Sequence, residues 1–288
     1  MFTNKTKGII AVLGASIMWA VEPLFAKISY RTTDFLSTFA TRTIFALLVI
    51  AVYLFIIDKK LFVLKKRYIP KLIYISLAAT LFADLFYIFA LTKVPVINAV
   101  IIGHMQPIFI ILIGFLFLKE DRITGFDYLG IAFMIAAGIL VTSRTLGNLL
   151  GLKLGTVGDF YVLLSTIAWA TTAVVARKYL RQVHAGTIAF YRFLFAGIIF
   201  ISYMVIKGWI EINNIHQILL GVIIGTGTVL YYEGIKLIKA AQVSALELST
   251  PFFAALLGFV FLQEFLTAMQ IIGILFLGGG IYFLSHRE

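Results

Sequence analysis

Gly114-Phe115-Leu116-Phe117-Leu118-Lys119-Glu120 returns 144 residues later as Gly258-Phe259-Val260-Phe261-Leu262-Gln263-Glu264. At the same offset Tyr87 meets Tyr231, Pro107 meets Pro251 and Phe109 meets Phe253. Working back, the offset becomes 150: Gly8 meets Gly158, Trp19-Ala20 meets Trp169-Ala170, Ala26 meets Ala176 and Lys27 meets Arg177. Arg42, Phe45 and Ala46 then meet Arg192, Phe195 and Ala196. Beyond the quoted run a one-residue slip pairs Gly130 with Gly273. Phe and Ala coincide by chance in apolar chains, whereas Trp, Arg, Pro and Glu recurring in order mark a duplication whose loops have shortened.

The solvent of this duplicated chain is lipid. Hydrophobic residues make up 61% of it and charged residues 13%, against about 25% charged in soluble domains; mean hydropathy is +1.04. A spanning helix needs about 20 apolar residues. Such runs fall at 8–28, 35–57, 71–91, 96–118, 124–143, 157–177, 187–207, 216–237, 243–262 and 267–285. The reading is an all-α integral membrane protein of ten transmembrane helices. Residues 1–143 form one five-helix repeat, 144–156 a linker and 157–288 the second repeat. Lys5 and Lys7 precede a run long enough to span, with no small-residue cleavage site after it, so that run reads as the first helix.

Five is odd, so the halves enter the membrane in opposite senses. Inverted repeats of this kind are common among secondary transporters, with the substrate site near the midplane where the halves meet.

The net charge of +11 does not point to nucleic acid, because the basic residues sit in short gaps between apolar runs. With the N-terminus inside, most of them fall on the cytoplasmic side, densest at Lys59, Lys60, Lys65, Lys66, Arg67 and Lys71. That is the positive-inside pattern, and it places both termini in the cytoplasm of a prokaryotic inner (plasma) membrane. Cysteine is absent, which excludes disulfides and thiolate metal sites. No P-loop and no His-Glu-x-x-His occurs, so neither ATP hydrolysis, a metal nor a cofactor is expected.

Taken together, the chain resembles the drug/metabolite transporter superfamily, specifically its ten-helix EamA-type members. The first half supplies the marks of that family as Trp19-Ala20, Lys27, Arg42, Pro107 and Leu118-Lys119-Glu120. The second supplies Trp169-Ala170, Arg177, Arg192, Pro251 and Leu262-Gln263-Glu264. The resemblance covers 8–285 and implies the ten-helix fold and transport as a class, with substrates among relatives ranging over amino acids, purines, sugars, polyamines and drugs.

Ionisable residues inside a membrane are costly and mark function or pairing. The candidate proton-coupling or cation-binding acids are Glu22, Asp84, Glu247 and Glu233. Glu22 is the first choice: it lies three residues after Trp19 and just before Pro23, which weakens the helix there. In placement it resembles the first-helix glutamate of the small multidrug exporters. The competing reading is a structural pair with Arg42 or a lysine. Asp84 closes a stripe of Ser76, Thr80, Asp84 and Tyr87, which faces either a cavity or a neighbouring helix. Glu247 shares a face with Ser244, Thr250, Pro251 and Gly258, and either holds a cation or belongs to a kinked packing face. Glu233 has Lys236 at i+3, so a surface ion pair is the alternative. His104 is a proton shuttle or a hydrogen-bonded packing residue. Arg42 and Arg192 read as scaffold, as do Glu120 and Glu264 at helix ends.

A central cavity is expected between helices 1, 3, 4, 6, 8 and 9, lined by Trp19, Tyr87, His104, Trp169 and Tyr231 together with the acids. The function expected is a secondary active transporter, an exporter of a small metabolite or organic cation, driven by proton antiport. It would work as a monomer or homodimer in the bilayer. The alternatives are an intramembrane lipid-modifying transferase, or a uniporter of amino acids or neutral metabolites with the same fold.

Overall fold

The computed structural model describes residues 3–118, 124–208, 211–238, 243, 246–247 and 249–285. Lys119, Glu120, Ser244 and the Arg177 side chain, which carry expectations above, lie outside the described residues. Among those described, eight helices are long and apolar enough to cross a membrane. They are α1 (Asn4–Ser29), α2 (Phe35–Ile57), α3 (Lys66–Ala90), α4 (Val96–Leu116), α5 (Gly125–Ser143), α6 (Val157–Tyr179), α7 (Ala185–Lys207) and α8 (Ile215–Ile235). Two shorter apolar helices, α9 (Ser249–Leu262) and α10 (Ala268–Ser285), complete the ten expected segments.

The helix starts follow from side chains that satisfy otherwise orphaned N–H groups. Asp34 accepts from Leu36 and Ser37 at the head of α2, and 150 residues on, His184 Nδ1 accepts from Gly186 at the head of α7. Thr124 and Asp127 form a reciprocal capping box on α5. At the offset of 143, Thr267 and Gln270 exchange the same two bonds on α10. The duplication is thus visible in the caps as well as in the motifs.

Two helices depart from the regular spans read in the sequence. α4 breaks at His104-Met105 into Val96–Gly103 and Gln106–Ile113. The cause is Pro107, whose missing N–H leaves the Gly103 carbonyl without its helical partner. α3 is π-helical from Ser76 to Asp84, which widens the turn.

Packing repeats the symmetry. α1 packs on α8 and α9, and α6 packs on α3 and α4; α2 packs on α8, and α7 on α3. α2 meets α7, α4 meets α9 and α5 meets α10. Adding five to every helix number maps these contacts onto themselves, as a two-fold relation between the halves requires. Outward positions carry large apolar side chains, among them Ile56, Ile206 and Leu275 at 76%, 82% and 70% exposure. A face of that kind belongs in hydrocarbon.

α5 and α10 approach closely where glycines leave room. A Cβ on Gly130 would lie 2.9 Å from the Gly280 carbonyl oxygen and 2.5 Å from the Leu284 side chain. On Gly273 it would lie 2.6 Å from Val141 and 3.2 Å from the Ala137 carbonyl. Gly130→Ala and Gly273→Ala are each expected to destabilise by about 1–3 kcal/mol through overpacking, read as thermal unfolding in detergent. Gly147→Ala, with nothing within 4 Å of its added carbon, should be neutral.

Candidate functional site

The polar stripe of α3 is the base of the central site. Ser76, Thr80 and Asp84 are all buried, and residues four apart fall closer to one line in a π-helix than in an α-helix. All three face α7 and engage one residue. Ser76 Oγ donates to the Arg192 carbonyl at 2.6 Å, and Arg192 Nε donates to Thr80 Oγ1 at 3.1 Å. One guanidinium nitrogen of Arg192 reaches both Asp84 oxygens at 2.7 and 2.8 Å. Of the two faces open to the stripe, it takes the helix–helix one along most of its length.

Asp84 is shared. Trp169 Nε1 on α6 donates to Asp84 Oδ1 at 2.8 Å, and Arg42 Nη1 on α2 stands 3.5 Å from Asp84 Oδ2. Arg42 in turn binds Glu22 on α1 through Nε at 2.7 Å and Nη2 at 2.5 Å. Glu22, Arg42 and Asp84 are 6%, 2% and 2% exposed. Two carboxylates and two guanidiniums therefore cancel in charge while linking α1, α2, α3, α6 and α7. Isolated charges could not be held there; matched and hydrogen-bonded ones can.

Around the network stand two equivalent aromatic pairs. Trp19 on α1 meets Tyr231 on α8 with ring centroids 5.0 Å apart and planes at 52°. Trp169 on α6 meets Tyr87 on α3 at 5.3 Å and 53°. These are the residues matched at offsets 150 and 144, and their near-identical geometry shows both halves building the same wall. Tilted rings at this separation present faces and edges favourable to each other.

Glu247 has different company. Tyr231 donates a hydrogen bond to its carboxylate, and among the described residues no lysine or arginine pairs with it. Three residues on, the Thr250 hydroxyl is buried without a hydrogen-bond partner among the described residues. Tyr231 thus joins Glu247 directly to the Trp19 pair.

The remaining candidates are placed as follows. His104 sits at the break in α4, where its Nδ1–H donates to the Val100 carbonyl at 2.7 Å. Glu233 takes the surface pair: Lys236 reaches it at 2.6 Å, and Tyr53 donates to the same oxygen. Glu264 binds Lys27 at 2.6 Å and accepts the Val96 N–H of α4 at 2.7 Å. It is aimed there because Gln263 adopts a left-handed φ of 56° and ends α9, with the Glu264 N–H returning to the Gly258 carbonyl at 3.0 Å. Among the described residues no group of three or more acids and histidines is arranged to hold a metal.

Arg42 and Arg192, expected as scaffold, meet one carboxylate, Asp84. Their matched positions were the available signal, but sequence spacing does not report which acid lies opposite. A chain of Asp159, Asn98 and Gln270 was also missed; its bonds of 3.0 and 2.8 Å join α6, α4 and α10.

Comparison with known proteins follows the same lines. The profile of the EamA-like transporter family matches residues 6–143 and again 156–286. An uncharacterized transporter of Synechocystis sp. is 24% identical over 69% of this chain. One of Methanothermobacter thermautotrophicus is 29% identical over 71%. In each case the match spans 61% of the relative's own length. A crystal structure of a protein with 16% identity superposes over 99% of this chain and 100% of its own, with a TM-score of 0.67; it shares the fold.

Removing one member of the buried network leaves an uncompensated charge. Asp84→Asn is expected to cost about 3–5 kcal/mol, seen as a large drop in detergent unfolding temperature. The double change Asp84→Leu with Arg192→Met should cost less than Asp84→Asn alone, because it removes a matched pair.

Proposed function

The chain belongs to the EamA-like transporter family, and on that premise we propose that it is a secondary active transporter exporting a small organic cation or amine in exchange for protons. The reading rests chiefly on Glu247. The other three candidate acids have cationic partners: Glu22 has Arg42, Asp84 has both arginines, and Glu233 has Lys236. Glu247 accepts from Tyr231 and has no cation opposite it among the described residues. For this reason the coupling role, first sought at Glu22, moves to Glu247.

The chemistry is that of one carboxylate with two exclusive occupants. Ionised, Glu247 attracts an ammonium group, while Trp19 and Tyr231 offer π-faces that favour cations. Three residues on in the sequence, the buried Thr250 hydroxyl has no hydrogen-bond partner among the described residues. Protonated, the carboxyl loses its attraction for the cation and releases it. A site that cannot hold proton and cargo together exchanges one for the other across the membrane.

The two halves supply the movement, because inverted repeats have two related conformations open to opposite sides. Lys27–Glu264 and Arg192–Asp84 each join one half to the other, so rocking the halves would require one of these links to open. We place both termini in the cytoplasm of a prokaryotic inner membrane. In support, the basic residues at the start of α3 and those at the end of α6 line one cavity at the same end of the bundle.

The test is exchange in proteoliposomes. Glu247→Gln is expected to insert and unfold like the parent chain yet lose pH-driven counterflow of amines by at least tenfold. Glu22→Gln should instead lower the unfolding temperature, since it strips Arg42 of its closest partner. Unchanged pH-driven exchange in Glu247→Gln would remove that residue from coupling. Counterflow indifferent to pH in the parent chain would favour the uniporter.

A further inference from the structure

Where α3 begins and α6 ends, the surface holds a cavity of about 440 Å³ lined by Arg67, Tyr68, Lys71, Lys178, Tyr179, Arg181 and Gln182. Among the described residues no acidic side chain lines it. Arg67 is held by neutral partners, donating to the Tyr68 hydroxyl at 2.5 Å and to Gln182 Oε1 at 3.5 Å. It also lies over the Tyr68 ring, and Lys178 over that of Tyr179, at 4.6 and 5.6 Å. The cations are thus gathered and aimed without being neutralised. A second cavity of about 180 Å³ shares Tyr68 and Gln182 and adds Lys60 and Lys65 beside Leu61, Val63 and Leu64.

Two neighbouring features select the ligand. The first turn of α3 has no side-chain cap, so its N–H groups and helix dipole also favour an anion. Along α3 from the cavity, Tyr74 follows Lys71 at i+3 on the same face at 41% exposure, and Ile73 and Leu77 stand outward on its flank at 39% and 40%. Tyr74, whose hydroxyl donates to Thr171 at 2.8 Å, ties α3 to α6 on the same stretch. A cationic cup that opens onto an apolar helical strip matches a molecule with an anionic head and hydrocarbon chains.

We propose that this cavity is a binding site for the phosphodiester headgroup of an anionic phospholipid, whose acyl chains run along Ile73 and Leu77. Arg67 and Arg181 supply planar forks suited to phosphate oxygens, and Lys71 and Lys178 supply point charges. The site lies apart from the Glu247 region and is independent of what is transported.

The experiment compares the unfolding temperature of the full chain in neutral detergent with added phosphatidylglycerol, phosphatidylcholine or inorganic phosphate. Phosphatidylglycerol is expected to raise it by several degrees and the other two to leave it within a degree. Arg67→Gln/Lys71→Gln on α3 and, separately, Lys178→Gln/Arg181→Gln at the end of α6 should each remove most of the rise. Lys5→Gln/Lys7→Gln, with the same loss of charge at α1, should keep it. A full rise in both cavity variants, or an equal loss in the Lys5/Lys7 variant, would reduce the effect to general surface charge and overturn the site. An equal rise with inorganic phosphate would make it a free-phosphate site and overturn the lipid assignment.

Discussion

Charge inside a medium of low polarity has to be matched where it stands, and the centre of this bundle is organised around that requirement. Arg42 and Arg192 approach Asp84 from different helices and different halves, and Glu22 supplies the second negative charge. The four groups sum to zero and are joined by contacts of 2.5 to 3.5 Å, so each makes the burial of the others tolerable. Their positions are linked in consequence: α1, α2, α3, α6 and α7 cannot shift far without exposing a charge to hydrocarbon. The π-helical stretch of α3 fits this scheme, since it lines Ser76, Thr80 and Asp84 along a single arginine.

The duplication builds a symmetric frame, and the acids then break the symmetry. Trp19–Tyr231 and Trp169–Tyr87 are near copies of one another, as are the caps of α5 and α10. At the corresponding offsets, however, Glu22 answers to Thr172, Asp84 to Thr228 and Glu247 to Gly103. Each central acid therefore exists once. The frame is therefore present in two copies, while each of these charges belongs to one half alone.

The Leu-x-Glu mark at the end of α9 acquires a physical reading here. Its middle residue, Gln263, occupies the left-handed region, an arrangement that costs an L-residue about 1–2 kcal/mol. What that conformation achieves is the placement of Glu264 against the first turn of α4 and against Lys27 of α1. Helix termination, capping of a neighbour and a link between halves follow from one turn.

Much of this was legible in the chain itself. Composition decided the solvent, run lengths the helices, and the register of Trp, Arg, Pro and Glu the two repeats, because these depend on local pattern and on order along the chain. The expected α4 was one continuous span, and Pro107 shows why the break lay at His104. For several polar residues the sequence left two readings, and only the fold chose: Glu22 with Arg42, Glu233 with Lys236, the α3 stripe against α7. Partners at separations such as 108 residues, as between Asp84 and Arg192, are set by how helices cross, and no spacing in the sequence records that. The distinction between Glu22 and Glu247 is of this kind. Both are glutamates within apolar stretches, and only the tertiary structure, by setting a guanidinium beside one and a tyrosine beside the other, made them different.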